Sequence, residues 1–175
     1  MTMTAARRQR KPRLMRKPRG LMFMGGLLAG LWGGIYAPAP GDAATTEYIV
    51  VDRQTGLAIS GFDPVAYFTE AAPKVGKAEI EFGFAGATWR FRNEGNRAAF
   101  AEDPDVYMPR FGGYDPVAIA RGASVPGHPL IWLVSGQRLY FFYSAKERAS
   151  FAAEPERFIE TAERRWSEVK RALTP

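Results

Sequence analysis

The chain has no cysteine and a single histidine in 175 residues. Without a thiol there is no disulfide, no thiolate nucleophile and no cysteine-ligated zinc or iron–sulfur site. A thiolate-ligated metal cofactor is therefore not expected, and the sequence names no other cofactor. Phosphate-binding loops, zinc-type spacings and dinucleotide fingerprints are also missing. Gly122-Ala123-Ser124-Val125-Pro126 comes nearest to a hydrolase elbow, but Pro126 stands where the last glycine belongs and no strand leads in.

Acid is absent from the first twenty positions, which hold 8 of the 24 basic residues, Arg7 to Arg19. Cutting the chain after Ala43 removes those eight and Asp42, leaving 16 basic and 17 acidic residues from the original 24 and 18. The body is then not basic, and phosphate neutralisation needs an excess of Lys and Arg on the folded surface. No nucleic-acid partner is expected.

What the leader does have is an apolar centre, Leu21-Met22-Phe23-Met24-Gly25-Gly26-Leu27-Leu28-Ala29-Gly30-Leu31-Trp32, after its basic run. Residues 1–43 read as an export signal, with Gly41-Asp42-Ala43 preceding a cleavage site at Ala44. The competing reading is an uncleaved anchor that contacts the membrane through residues 21–39. Either one places residues 44–175 outside the cytoplasm, as a periplasmic or membrane-tethered domain.

That domain has 46% apolar and 13% aromatic residues over the whole chain to draw on for a core, enough for one folded unit. Tyr48-Ile49-Val50-Val51 reads as a short strand and Gln54-Thr55-Gly56 as a turn. In Asp63-Pro64-Val65-Ala66 the carboxylate can accept from free amides while proline fills the first helical position, which predicts a short helix. Residues 79–84 and 88–92 alternate with period two about Ala85-Gly86, the mark of a hairpin with one buried face. Helices are predicted from Asn93 and from Asp103-Pro104.

The plan then repeats. Gly113-Tyr114-Asp115-Pro116-Val117-Ala118 echoes Gly61-Phe62-Asp63-Pro64-Val65-Ala66. Residues 131–134 and 139–143 form a second hairpin, and Ser144-Ala145-Lys146-Glu147 is a capping box. Phe158, Ala162, Trp166, Val169 and Leu173 at helical spacing give an amphipathic terminal helix. Trp89, Phe91, Phe100, Pro104 and Tyr107 match Tyr140, Phe142, Phe151, Pro155 and Phe158 at a constant displacement of 51. Gly86 and Gly136 differ by 50, which predicts a second hairpin turn one residue longer. The expected fold is α+β: two tandem helix–hairpin–helix units, about 59–110 and 111–166, packed as one domain with small antiparallel sheets, flanking helices and a terminal amphipathic helix.

Residues 61–68, Trp89-Arg90-Phe91, Phe100 with Asp103-Pro104, Pro109-Arg110-Phe111-Gly112-Gly113-Tyr114 and Leu139-Tyr140 together resemble the YHS domain family, in particular its exported bacterial members. The resemblance runs from about residue 59 to 166 and implies, by analogy with metal-handling relatives, a link to metals. Those relatives carry cysteine at the positions of Ala66, Arg92 and Asn96, and exported relatives often carry cysteine or selenocysteine at the position of Asp115. This chain is a cysteine-less member, so the family's sulfur chemistry is closed to it.

The candidate ligand-binding residues are Asp63, Gly112, Gly113, Tyr114, Asp115 and His128; none is assigned as catalytic or as a metal ligand. Asp63 and Asp115 are placed either face to face across a pseudo-twofold axis or each as a helix cap. The aromatics Trp89, Phe91, Trp132, Tyr140 and Phe142 belong to the core or line a pocket. Gly112 and Gly113 mark close backbone approach or a fit between repeats. The expected function is a non-catalytic, exported YHS-like domain that binds a small ligand or a protein partner at the cell envelope. The alternative is a hard-metal-binding protein or enzyme using Asp63, Asp115 and His128.

Overall fold

Two residues with positive φ close each hairpin, Ala85 and Gly86 in the first, Gly136 and Gln137 in the second. This is the backbone that lets two antiparallel strands keep their twist through a two-residue loop. Strands β1 (Lys77–Phe84) and β2 (Ala87–Phe91) pair with Phe84 opposite Ala87. Strands β3 (His128–Ser135) and β4 (Arg138–Phe142) pair with Ser135 opposite Arg138. The displacement is 51 at every paired position, from 77 and 128 to 91 and 142. The expectation of a longer second turn is therefore corrected. Both loop positions need positive φ, so glycine can occupy either, and it has changed places rather than been joined by an extra residue. The one-residue difference lies earlier, and it is the first half that has the extra residue. Asp63 N–H donates to Lys74 O and Asp115 N–H to Val125 O, so the offset falls from 52 to 51 between helix and hairpin.

The computed structural model describes residues 48–173. The cleavage site at Ala44 and the anchor over residues 21–39 lie outside the described residues. Among those described, no helix is long and apolar enough to cross a membrane.

The architecture is α+β. A 3-10 turn (Ile59–Gly61) leads to helix α1 (Ala66–Thr69), the first hairpin, α2 (Glu94–Glu102) and α3 (Pro104–Tyr107). A second 3-10 turn (Arg110–Gly113) leads to α4 (Pro116–Ala120), the second hairpin, α5 (Ala145–Ala153) and α6 (Pro155–Leu173). Asn93 caps α2 through Asn96 N–H at 2.8 Å, and Ser144 caps α5 through Glu147 N–H at 3.2 Å. The Glu147 carboxylate, which a full capping box would turn back on the Ser144 amide, instead pairs with Arg121 at 2.9 Å. Where α3 ends after one turn, its counterpart α6 runs 19 residues and buries Ala162 and Val169 in the second half.

Residues 48–51 do not form a strand. Val51 makes one isolated bridge with Ala58, and Val50 N–H donates to Gly112 O at 2.8 Å. The chain cannot continue the pairing because Asp52 folds it back, its Oδ1 accepting from Gln54 N–H and Thr55 N–H at 2.9 Å each.

The core has two centres that meet on β4. Trp89, Phe91 and Phe100 fill the first, joined by Leu139 and Phe141. Phe111, Val117, Ile119 and Phe151 fill the second, joined by Tyr140 and Phe142. Alternate side chains of β4 thus enter opposite cores, which is why β4 reads as an unbroken apolar run while β2 alternates. The aromatics singled out from the sequence are core residues, Trp132 only partly buried.

Candidate functional site

Both motif aspartates are fully buried, and both spend their oxygens on the backbone of their own half. Asp63 Oδ1 accepts from Val65 N–H at 2.9 Å and Ala66 N–H at 3.4 Å, opening α1 as proline permits. Its Oδ2 accepts from Arg92 N–H at 2.9 Å and Asn96 Nδ2 at 2.6 Å. Asp115 Oδ1 accepts from Val117 N–H at 2.7 Å and Ala118 N–H at 3.3 Å, and Oδ2 from Tyr143 N–H at 2.8 Å. Each carboxylate therefore ties the start of a helix to the exit of the hairpin. These bonds give each the capping role, with no contact between the two.

The halves differ at one point in this arrangement. Where Asn96 donates to Asp63, the matching residue is Glu147, a second carboxylate. Burial pushes the Asp115 carboxyl above its ordinary value; its bonds from Tyr143, Val117 and Ala118 pull it back, and Glu147 raises it further. A raised acid binds its proton in the folded chain at pH values where the unfolded chain has lost it, so this group's contribution to stability falls as pH rises from the ordinary carboxylate range through the folded value. Glu147→Gln is expected to flatten that loss, read as a smaller change in urea midpoint between pH 4 and pH 7 than in the parent.

His128 stands exposed at the first residue of β3, with Nδ1 accepting from Leu130 N–H at 3.1 Å. It does not join the buried aspartates. Among the described residues no group of three or more His, Asp or Glu is placed to hold a metal ion. Tyr67 ties the halves together: its hydroxyl donates to Pro129 O at 3.0 Å, and its ring meets Trp132 and Phe141 edge-on. Burial first and the Asp63 charge second push that hydroxyl far above its ordinary value, so it stays a donor.

Gly112 and Gly113 sit in the second 3-10 turn at φ 63° and 91°, following Phe111 at 56°. A Cβ at Gly112 would overlap the backbone of Tyr48 and Ile49, its carbonyl oxygen first. The close approach expected at these glycines is real, and what approaches is residues 48–50 of the same chain. Three cavities border this crossing. A cavity of about 70 Å³ lies between Val50, Ser60, Gly113 and Phe141. A second of about 200 Å³ adjoins Tyr114, Pro126 and Leu173. The largest, about 330 Å³, is lined by Ile49, Met108, Phe111, Gly112, Arg110 and Arg138, with Asp105 and Pro109 at its side. It brings Gly112 together with residues that sequence reasoning passed over.

Arg110 donates to Glu163 at 2.6 Å and lies over the Phe111 ring, 5.5 Å from its centroid. Arg138 donates to the Asp105 carbonyl at 2.6 Å and makes no ion pair among the described residues. Burial pushes the Tyr140 hydroxyl above its ordinary value, while Arg110 pulls it down, Glu163 raises it and Arg138 pulls it down. Comparison of the two halves was the signal available in the sequence: Arg110, Arg138 and Tyr140 stand where the first half has Ala58, Ala87 and Trp89.

No family model matches the chain, and no curated protein or solved structure matches it.

Proposed function

We propose that this chain is an exported, non-catalytic YHS-like domain that binds a small ligand at the cell envelope, in the cleft beside Gly112. The observation that carries the reading is that cleft of about 330 Å³, where Ile49, Met108 and Phe111 meet Arg110 and Arg138, a volume within the range of small-molecule sites. The family likeness rests on the Asp-Pro-Val-Ala openings and the aromatic hairpins that follow them. Export rests on the basic and apolar leader, and both belong to the proposal.

A non-catalytic role is favoured because the residues best suited to acid–base work are already occupied. Asp63 and Asp115 are buried on backbone amides, and His128 lies apart from them on the surface. The alternative of a hard metal or an enzyme at those three residues has no geometric support. Native mass spectrometry of the protein purified from its own host tests the reading: it should retain an organic molecule in stoichiometric amount. A protein that carries nothing, or carries a metal lost on Asp115→Ala, would count against it.

A further inference from the structure

The duplication supplies its own control, because every position in the second half has a counterpart whose environment can be compared. Leu57 bridges Thr88 in the first half as Pro109 bridges Leu139 in the second. Ala58 therefore matches Arg110, Ala87 matches Arg138, and Trp89 matches Tyr140. In the first half these three are dry core: Ala58 and Trp89 are fully buried, Ala87 nearly so, and Trp89 Nε1 is satisfied by Phe84 O at 3.0 Å. In the second half the same three positions carry two guanidinium groups and a phenol, and both arginines line the cleft.

A buried polar group normally finds a partner. Tyr140 is 2% exposed as a residue, and since no buried side-chain oxygen among the described residues lacks a partner, its hydroxyl, which makes no hydrogen bond to them, reaches solvent. Arg138 uses one donor on a backbone carbonyl and keeps its charge unpaired among the described residues. Arg110 answers Glu163. Glu163 is set against Arg110, which leaves Arg138 as the guanidinium of the cleft with no ion-pair partner among the described residues. Asp105 also lines the cleft but meets Arg138 through its carbonyl, so the formal charges balance and leave no surplus for a dianion. The floor of Ile49, Met108, Pro109 and Phe111 is apolar. A dianion would be under-neutralised here and a neutral molecule would leave the Arg138 fork idle.

We propose that this cleft binds a small amphipathic monoanion, a carboxylate carrying an apolar ring or short chain. The carboxylate takes the Arg138 fork, as planar guanidinium geometry favours, and the apolar part lies along Phe111 and Met108. This rests on the ligand-binding reading above and names the class of its ligand.

The test is calorimetric titration of the full chain with benzoate, benzyl alcohol and inorganic phosphate. Benzoate should bind one to one, at least about tenfold more tightly than either of the others, since the charge-assisted hydrogen bonds to a guanidinium are stronger than neutral ones. Arg138→Ala restores the residue of the first half; it should weaken benzoate about tenfold or more and leave benzyl alcohol unchanged. Arg138→Gln, which keeps much of the side-chain length, gives the same comparison with less change in packing. Equal binding of benzoate and benzyl alcohol, phosphate binding as tight as benzoate, or indifference to both Arg138 variants overturns the anion site. Host-purified protein that retains an organic ligand equally in parent and Arg138→Ala forms overturns the anion site and leaves the binding function standing. Protein that neither retains a ligand nor binds benzoate overturns both.

Discussion

Asp63→Ala is expected to destabilise the domain by about 3–4 kcal/mol, the largest effect of any single side-chain truncation in the motif. The carboxylate accepts from three backbone amides and from Asn96 in a site with no access to water. Alanine leaves those donors buried and unmatched, at a cost of roughly 1–3 kcal/mol for each that cannot find another acceptor. The loss should appear in urea denaturation as a lower midpoint with an unchanged slope, and as a fall in Tm of roughly 10 °C for a domain of this size. Asp115→Ala should cost less, because Asp115 has one donor fewer and sits beside Glu147. Equal losses at the two sites, or a near-neutral Asp63→Ala, would contradict the assignment of these residues as structural ties.

Gly112→Ala is expected to cost roughly 3 kcal/mol and to act at a distance in sequence, on residues 48–51. The added methyl occupies the space of the Tyr48 carbonyl, so the segment must lift. Lifting gives up the Val50–Gly112 hydrogen bond and the burial of Ile49, worth about 1 and 1.5–3 kcal/mol respectively. Backbone conformation alone does not account for the need for glycine. Ser60, the matching residue, holds φ 54° with a side chain and is exposed. Hydrogen exchange separates the two causes: amides of Val50 and Ile59 should lose protection in Gly112→Ala while those of β4 keep theirs. Ser60→Gly should leave both patterns as they are.

The hairpins, the helix starts and the terminal helix were legible because each rests on local pattern: period-two alternation, an aspartate before a proline, apolar residues at helical spacing. Two features escaped for physical reasons. Residues 48–51 have a strand's composition, but Asp52 reverses the chain and only one bridge forms. The glycine shift between the hairpins looked like an inserted residue, since sequence does not tell which of two positive-φ positions a glycine fills. The candidate site was only partly legible. Asp63 and Asp115 carry the chemistry of an acid–base pair, and burial on amides turns them to another use. Gly112 was visible as a point of close approach. Tyr140 was visible as an aromatic of the core or of a pocket, whereas Arg110 and Arg138 were not, because they stand where the first half has alanine and so carry none of the shared pattern.

The strand that feeds both cores has a consequence for the history of the chain. A freshly duplicated unit can fold as two independent copies, and either can later be lost. Once Leu139 and Phe141 supply the first core while Tyr140 and Phe142 supply the second, the first copy is not complete without the second. Separated, the second half would bare two aromatic-rich faces on one strand, and the first would lack a wall. The shared strand makes the duplication irreversible: the copies have become organs of one body, free to diverge at Ala58 and Arg110 because they can no longer part.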